Sequence, residues 1–281
     1  SNSKACYRKP SCRKRVTKVS TGSSDKVTRT VWNAGEVNEG TDNVATETAV
    51  AMVYNGISHV VMMATPADLK DFALGFSLSE GILTSPKQLL DCEQAETDKG
   101  IELALTITAE PFAKLKERRR NLVGRTGCGL CGAESLEQAI TAPNNISAQL
   151  NISHSALQRA IAALGSEQQL QQQTGAVHGA AWCGKEGEIL LLREDVGRHN
   201  ALDKLLGAIS KQEPTQGFVL VTSRASYEMV SKTASANIPL LAAVSAPTSL
   251  AIELAETAGL TLVGFSRTGR HVIYAHGQRI N

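Results

Sequence analysis

The sequence predicts an α/β unit in the second half of the chain and a smaller α+β unit in front of it. Two patterns carry this prediction. In the second half, apolar strand-like runs alternate with segments of helical periodicity, and in the first half, β-branched runs are joined by Asn55-Gly56. Strands that alternate with helices are typical of a sheet with helices on both faces. With 281 residues, the chain is long enough for one large or two modest domains.

Composition and charge narrow the class of protein. Apolar residues make up 42% of the chain, enough for a hydrophobic core, and the net charge of +2 is too small to favour nucleic acid as the main partner. No apolar run approaches the ~18 residues that a membrane span needs, so no membrane association is expected. The basic N-terminus lacks the apolar stretch of a secretory signal. We therefore expect a cytoplasmic protein, in which cysteines stay reduced unless they are catalytic or bind metal.

Three segments are expected along the chain. Residues 1–43 are polar and carry a basic cluster, which predicts a disordered basic arm. Residues 44–145 should form the α+β domain, which ends in a loop that contains two cysteines. Residues 146–281 should form the α/β domain, which binds a nucleotide or a related cofactor. The boundary is placed within 141–151 because its proline and several asparagines are typical of a linker.

In the first half, Asn55-Gly56 predicts a tight hairpin turn between strands at 48–54 and 57–63. Thr65-Pro66 is typical of a helix start, and this helix should end near Gly81. The elements expected next are a short helix from Pro86, strands at about 92–97 and 101–108, and a helix over 112–121. The Lys and Arg residues of this last helix form either a solvated face or a positive surface beside the cysteines.

In the second half, helix and strand patterns alternate. A helix over 153–173 should open this unit. The elements that follow are strands at 176–183 and 188–193, a helix over 199–211, a strand at 217–222, a helix over 225–236, a strand at 240–244, a helix over 248–258, and strands at 261–265 and 271–275.

The most distinctive stretch is 124–132, which contains Cys128, Cys131 and four glycines. Glycine permits positive φ, so this backbone can pass close to a partner. A helix is expected directly after it, and the positive end of that helix, together with Arg125, favours thiolate over thiol. The resulting hypothesis is that Cys128 carries reactive sulfur and that the rest of the chain positions an acceptor for it.

Two other interpretations of the cysteine pair stay open at this point. A structural zinc site needs a second ligand pair, but the chain has no second Cys-x-x-Cys, and its six histidines are scattered. A thioredoxin-like redox pair opens the helix that follows a strand, whereas here a helix is expected before the pair. The remaining cysteines, Cys6, Cys12, Cys92 and Cys183, are expected to be free thiols.

Polar residues follow four of the predicted strands of the second half. They occupy 194–200, 223–227, 245–249 and 266–270. In open α/β sheets, ligands bind beyond the carboxyl ends of the strands, and helix N-termini there bind anions. Bidentate donors that suit phosphate are added by Arg198, Arg224, Arg267 and Arg270. This edge therefore predicts a phosphorylated ligand of nucleotide size.

Each of these turns, taken alone, is equally typical of an ordinary helix cap with surface arginines. Asp195 and Ser223 can serve as such caps. On its own, His178 is more typical of a core histidine. The sequence contains neither a P-loop nor a Rossmann glycine motif, and no His-Glu-x-x-His.

Together these motifs resemble the FdhD family of formate dehydrogenase accessory sulfurtransferases. The resemblance runs from about Thr48 onward and excludes the basic arm. The matching stretches are 53–56, 72–76, 124–132, 178–182, 194–204, 223–228 and 264–270. One position departs from the family pattern, because Gly179 follows the motif histidine where the family has alanine.

The resemblance implies a sulfur carrier. In this family, a cysteine desulfurase donates sulfur as a persulfide, and the protein passes it to the molybdenum cofactor, bis(molybdopterin guanine dinucleotide). The sulfurated cofactor is then inserted into formate dehydrogenase. GDP or GMP would be simpler ligands of the same site, and the two-fold nature of the cofactor makes a homodimer the expected assembly.

The resemblance also implies roles for individual residues. It places the persulfide on Cys128, with Cys131 beside it either to resolve the persulfide or to tune its neighbour. Its cofactor-binding segment corresponds to Phe265, Ser266, Arg267, Thr268, Gly269 and Arg270. From the other matched motifs we expect cofactor contacts at His178, Asp195, Arg198, His199, Arg224 and Ser226. No metal ligand is assigned.

For the fold, the resemblance implies a cytidine-deaminase-like C-terminal domain with three α/β/α layers, preceded by the smaller α+β domain. The zinc signature of that fold is missing from the sequence, since no His-x-Glu precedes the Cys-x-x-Cys. Two alternative functions remain, a zinc-dependent relative of the nucleotide deaminases and a non-catalytic chaperone that binds the molybdenum cofactor.

Overall fold

The computed structural model describes residues 22–123, 145–213 and 215–281, and within α2 it leaves out the side chains of 118–123. These parts form a two-stranded, a four-stranded and a six-stranded sheet, together with helices. The mixed α/β class expected from the sequence is confirmed. The cysteine loop and the first part of the basic arm lie outside the described residues.

An N-terminal hairpin replaces part of the expected disordered arm. Strands β1 (Ser24–Asn33) and β2 (Glu36–Ala45) pair antiparallel along their whole length. The two-residue turn between them has positive φ at both Ala34 and Gly35, which suits the twist of a hairpin. The expectation for 1–43 is therefore wrong from residue 24 onward. Polar composition predicted disorder, but a backbone ladder can form without a buried face.

The first unit is a four-stranded sheet with the order β4-β3-β6-β5. Its strands are β3 (Thr48–Tyr54), β4 (Ile57–Ala64), β5 (Leu89–Thr97) and β6 (Gly100–Ile107), with β3 parallel to β6. The predicted turn at Asn55-Gly56 is confirmed, since both residues have positive φ. Helix α1 (Leu69–Ser79) packs on this sheet through Phe72 and Leu69, and α2 (Ala109–Val123) follows β6.

Helix α1 begins later than the sequence predicts. Thr65-Pro66 was expected to open it, but the N-cap is Asp68 in a left-handed conformation. The reason is tertiary, because the backbone groups of Thr65 are used elsewhere. The Thr65 N–H donates to the Asp195 carboxylate, 3.0 Å away, and its carbonyl accepts from Lys204 at 2.9 Å.

The second unit is built on a six-stranded sheet with the order β12-β11-β10-β9-β7-β8. Its strands are β7 (His178–Gly184), β8 (Ile189–Asp195), β9 (Gly217–Val221), β10 (Leu240–Ala243), β11 (Thr261–Arg267) and β12 (Arg270–Ala275). Strands β9, β10 and β11 are parallel, whereas β7 runs antiparallel to both of its neighbours.

Helices cover both faces of this sheet. They are α3 (His154–Glu167), α4 (Gln169–Thr174), α5 (Arg198–Ile209), α6 (Tyr227–Ser235) and α7 (Ser249–Ala258). One core forms between the sheet and α5, α6 and α7, and a second forms between its other face and α3. The helices therefore lie on both faces, as predicted, while the specific likeness to cytidine deaminase stays a prediction.

The single helix expected over 153–173 is two helices, and the break is at Gln168. This residue has ψ near 80°, outside the helical range. The backbone N–H groups of Leu170 and Gln171, freed by the break, donate to the carboxylate of Glu194 at 2.8 and 2.9 Å. A carboxylate 23 residues away along the chain thus stabilises a second helix start that local periodicity does not reveal.

The two units meet where α1 crosses α5. A Cβ added to Gly75 would lie 1.7 Å from the carbonyl oxygen of Asp203, and one added to Gly207 would lie 1.9 Å from that of Asp71. The two helix backbones are therefore in direct contact. Ion pairs surround the crossing, including Arg193–Asp71 at 2.7 Å. No helix in the described ranges has the length and apolar character needed to cross a membrane.

Candidate functional site

The structure brings the four predicted turns to one edge of the six-stranded sheet. Because β8 and β9 are both antiparallel to β7, β8 points the same way as the parallel strands β9, β10 and β11. All four carboxyl ends therefore lie at the same edge. His178, the first residue of β7, is at this edge as well, because it pairs with Asp195 at the end of β8.

Backbone hydrogen bonds join three of these turns side by side. The N–H of Ala225 donates to the carbonyl of Ala246 at 3.3 Å, and the N–H of Ser245 donates to that of Ser223 at 3.4 Å. The N–H of Phe265 in turn donates to the carbonyl of Ser245 at 3.1 Å. The turns thus form one continuous backbone surface along the edge.

The predicted cofactor segment, 265–270, contains one strained backbone conformation and one buried hydroxyl that has no hydrogen-bond partner among the described residues. Phe265 has φ of 49°, a conformation that is rare for a bulky residue and that persists mainly at functional sites. Next to it, Ser266 is buried, and its hydroxyl has no hydrogen-bond partner among the described residues. The pairing between β11 and β12 is irregular here, between Gly264 and Arg267. Residues 267–270 are exposed at the end of this hairpin.

Gln158 of α3 holds the exposed turn at 267–270 in place through hydrogen bonds. Its Oε1 accepts from the N–H of Gly269 at 2.7 Å, and its Nε2 lies 2.9 Å from Nδ1 of His271. The His271 Nε2 lies 2.8 Å from Nδ1 of His154. Gln158 can donate to His271, and His271 can donate to His154, so each of these contacts can be a hydrogen bond. Nothing in the sequence around residue 158 indicated this role.

Positive charge is concentrated at the edge. Arg224, Arg267 and Arg270 are exposed, and none of their guanidinium groups has an ion pair or hydrogen bond with any residue that the structure describes. Arg198 begins α5, and its Nε is enclosed without a partner in the same set of residues. Guanidinium groups without carboxylate partners suit phosphate groups, which they bind in a bidentate manner.

Asp195 has a different environment from the one expected of a ligand contact. Its side chain is fully buried and pairs with Lys204 at 2.7 Å. It also accepts hydrogen bonds from the N–H groups of Thr65 and Gly197 and from the amide of Asn200. All of its acceptor capacity is used within the protein, so Asp195 holds the edge in place, and its contact with a ligand stays a prediction.

His199 and Ser226 come together through Glu228. The Glu228 carboxylate accepts from Nε2 of His199 and from the Ser226 hydroxyl, both at 3.1 Å. Burial lowers the pKa of His199, and Arg198 lowers it further, while Glu228 opposes this shift. This trio joins the first turns of α5 and α6. Glu228 was not among the predicted site residues, although it lies within a motif matched at the sequence level.

His178 is half-buried at the edge. Burial lowers the pKa of its imidazole, Arg198 lowers it further, and Asp195 acts in the opposite sense. The ring is therefore neutral at neutral pH, and it can both donate and accept a hydrogen bond.

Cys128 and Cys131 lie outside the described residues. The described cysteines, Cys92 and Cys183, are buried. Burial raises the pKa of the Cys183 thiol to about 12 and also raises that of Cys92, which makes both poor nucleophiles. Across 22–123, 145–213 and 215–281, no group of three or more His, Cys, Asp or Glu side chains is arranged to hold a metal ion.

The chain is similar to known proteins over most of its length. Residues 45–281 match the model of the FdhD/NarQ family. The chain is 56% identical over 251 residues to the sulfur carrier protein FdhD of Cupriavidus necator, covering 89% of this chain and 87% of the relative. It is 56% identical over 242 residues to the protein of that name from Variovorax paradoxus, covering 85% and 87% of the two chains.

A solved structure is similar as well. The crystal structure of a protein assigned as a formate dehydrogenase accessory protein of Desulfotalea psychrophila superposes with a TM-score of 0.71 at 25% identity. The match covers 92% of this chain and 99% of that chain. From its sequence relatives and its fold, the chain belongs to the FdhD/NarQ family.

Proposed function

We propose that this chain is a sulfur carrier in the maturation of formate dehydrogenase. It accepts persulfide sulfur on Cys128 from a cysteine desulfurase and passes it to bis(molybdopterin guanine dinucleotide) bound at the sheet edge. The observation that carries the cofactor part is the group of exposed arginines without partners among the described residues, Arg224, Arg267 and Arg270. The sulfur part is supported by the relatives that are named sulfur carriers.

The sulfur steps balance without an added oxidant. The Cys128 thiolate attacks the terminal sulfur of the desulfurase persulfide, so that the S–S bond of the donor breaks and a new one forms on Cys128. The desulfurase cysteine leaves as a thiolate. In the second step, Cys131 attacks Sγ of Cys128, which releases hydrosulfide to the acceptor and leaves a Cys128–Cys131 disulfide. A cellular dithiol then reduces this disulfide.

The described residues supply the binding surface for the acceptor. The arginines and the N-terminus of α5 hold phosphate groups, which a guanine dinucleotide carries. Gln158 fixes the turn that presents Arg267 and Arg270, through its hydrogen bond to Gly269. Asp195 holds the start of α5 in place through the N–H of Gly197. GDP and GMP are the simplest ligands with which this surface can be tested.

Mass spectrometry tests the carrier step. The protein is incubated with a cysteine desulfurase and cysteine, alkylated and digested, and the peptide with Cys128 and Cys131 is analysed. We expect the mass of one added sulfur atom on Cys128, and none on Cys92 or Cys183, whose thiols are buried. No added sulfur on Cys128, under conditions that load another acceptor, would contradict the proposal.

A variant at Cys128 distinguishes a sulfur carrier from a chaperone that only binds the cofactor. Cys128→Ala should abolish activation of formate dehydrogenase while the affinity for GDP is unchanged, because the sheet edge is intact. If this variant still activates formate dehydrogenase, the protein binds the cofactor without transferring sulfur. Arg270→Ala provides the reciprocal variant, since it should weaken GDP binding and leave persulfide loading of Cys128 unchanged.

A further inference from the structure

The four-stranded sheet of the first unit has one covered face and one open face. Helix α1 packs on the face that contains Val50, Met52 and Leu103. Burial alternates along β3, so the residues between these positions point to the other side of the sheet. We call this second side the open sheet face. By strand pairing, it contains Ala49, Ala51 and Val53 of β3, Val61 and Met63 of β4, Glu102, Ala104 and Thr106 of β6, and Asp91, Glu93 and Ala95 of β5.

The half of the open sheet face formed by β3 and β4 is apolar. In a sheet with one solvated face, the solvated positions are normally polar. Here the outward positions of β3 are Ala49, Ala51 and Val53, and the neighbouring Val61 and Met63 of β4 are 60% and 49% exposed. An exposed apolar face of this kind is typical of a surface that another segment or molecule contacts.

The half formed by β5 and β6 is acidic. Asp91, Glu93 and Glu102 are exposed, and none of them makes an ion pair with any residue that the structure describes. Among residues 48–64 and 89–107, which include all four strands, Lys99 in the turn between β5 and β6 is the single Lys or Arg. The open sheet face therefore suits a partner that combines positive charge with some apolar side chains.

The N-terminal segment, residues 1–21, has this complementary composition. It lies outside the described residues, but its sequence contains seven basic residues and no acidic one. The whole chain carries a net charge of only +2, so the rest of the chain is net negative. Val16 and Val19 add apolar side chains beside the last of the basic residues, which are Lys4, Arg8, Lys9, Arg13, Lys14, Arg15 and Lys18.

The N-terminal segment also joins the described chain at the right place. The carbonyl of Ser23 accepts a hydrogen bond from the N–H of Thr46 at 3.0 Å, and Thr46 lies two residues before β3 begins. An extended chain spans about 3.3–3.6 Å per residue, so Lys18 can lie up to about 17 Å from Ser23. Neighbouring strands are about 4.8 Å apart, which places β5 about 10 Å from β3. The basic residues can therefore reach both halves of the open sheet face.

We infer that the N-terminal segment docks on the open sheet face of its own chain. Its Lys and Arg side chains lie against Asp91, Glu93 and Glu102, and Val16 and Val19 cover the apolar half. Charge selects this occupant over a second copy of the face, which would bring the same carboxylates to the contact. The inference is independent of the proposed sulfur transfer, because it concerns a surface of the first unit.

Carbodiimide cross-linking tests the docking in the full chain, because it joins an amine directly to a carboxylate that contacts it. We expect links from Lys14 or Lys18 to Asp91, Glu93 or Glu102 at low salt, and their loss at about 1 M salt, where exposed charges are screened. A mixture of unlabelled and isotope-labelled protein shows by mass spectrometry whether linked peptides come from one chain. Pairs of mixed label, or the absence of these links, overturn the inference.

A charge variant has a matched control. Glu93→Gln combined with Glu102→Gln removes two carboxylates of the open sheet face, and we expect the loss of most of the links. Glu167→Gln combined with Glu253→Gln makes the same change in net charge at exposed positions of α3 and α7 and should keep the links. Equal linking in the two double variants would show that the segment is attracted only by net charge.

Hydroxyl-radical footprinting supplies a readout that does not depend on the cross-linked residues. Lys14→Glu, Arg15→Glu and Lys18→Glu, combined in the full chain, should release the segment and increase the oxidation of Met63 on the open sheet face. Met62 is the internal control, because it packs against the core on the other side of the sheet and its oxidation should stay the same. Unchanged oxidation of Met63 would mean that the segment does not cover this face.

Discussion

Asp195 illustrates how a motif residue can act through the fold. Its carboxylate neutralises the buried Lys204 and accepts backbone N–H groups from both units. The sequence predicted a ligand contact at this residue; the structure places it at the end of β8, and the contact itself stays a prediction. Its partner Thr65 is 130 residues away along the chain, and such a contact leaves no local pattern in the sequence.

Replacing Asp195 should therefore cost stability. Asp195→Asn leaves the Lys204 ammonium buried without a counter-charge, so we expect the free energy of unfolding to fall by about 3–5 kcal/mol. Urea unfolding monitored by circular dichroism measures the change. Asp98→Asn, on the exposed turn between β5 and β6, is the control and should be close to neutral. Equal stability of the two variants would show that Asp195 is not the anchor described above.

Three histidines make stability depend on pH. Burial lowers the pKa values of His178, His199 and His271 below the ordinary value of 6.5. The unfolded chain therefore binds more protons than the folded one below pH 6.5, and the free energy of unfolding decreases as pH falls from there through the lowered pKa values. Urea midpoints at pH 7.5 and about pH 5.5 should differ accordingly. His199→Gln should reduce the difference, and an unchanged difference would exclude His199 as a contributor.

At the scale of elements, the contact between α1 and α5 depends on two glycines. Gly75→Ala or Gly207→Ala places a methyl group against backbone of the other helix, and we expect a loss of about 3 kcal/mol or more. Gly165→Ala is the matched control, because its Cβ would meet nothing within 4 Å in an exposed part of α3. This control should gain about 0.5–1 kcal/mol. Chemical denaturation measures the stability of the three variants. Equal changes in the free energy of unfolding for all three would contradict a close contact between the two helix backbones.

The turn at 267–270 is held by a hydrogen bond from a residue of α3. Gln158→Leu removes the acceptor of the Gly269 N–H, so hydrogen exchange in this turn should become faster. Gln149→Leu changes an exposed glutamine distant from the turn in the chain and should leave the exchange rate unchanged. Deuterium uptake followed by mass spectrometry makes the comparison. Equal uptake by wild type and Gln158→Leu would mean that the turn is held by other contacts.

Sequence patterns predicted elements better than contacts between elements. The Asn55-Gly56 turn, the alternation of strands and helices in the second half and the polar turns after its strands were predictable because each depends on local residue order. The role of Gln158 was not, because it acts on a turn that is distant in sequence. The β1–β2 hairpin was missed because its residues are mostly polar, and composition alone does not report backbone pairing.

At the scale of the molecule, two sets of charges have separate roles. The buried charges of Lys232 and Asp203 belong to the second unit, and Lys232 also pairs with the exposed Glu80 of the first, which joins the two units. Burial alone would lower the pKa of Lys232, but the two carboxylates together raise it. The exposed arginines of the sheet edge, in contrast, give one region of a nearly neutral protein a positive potential that attracts anions.

The anion affinity of that region should depend on salt and on the arginines. Arg224→Ala combined with Arg267→Ala should weaken pyrophosphate binding by about tenfold at low salt, and less at high salt, where exposed charges are screened. Calorimetry at two salt concentrations measures this. Arg159→Ala is the control, since Arg159 pairs with Glu186 in another part of the surface. A loss of affinity that is equal in all variants would indicate a general effect of net charge and not a localised site.

The glycine contact between α1 and α5 also determines how the two units can move. Packed side chains can change rotamer when two helices shift, but two helix backbones already in contact cannot come closer. The ion pairs around the crossing resist the separation of the two helices. Closer approach of the two units is therefore blocked at this point. Rotation about the crossing needs no closer approach of the backbones, so it is a relative motion that this contact permits, and the sheet edge would move with it.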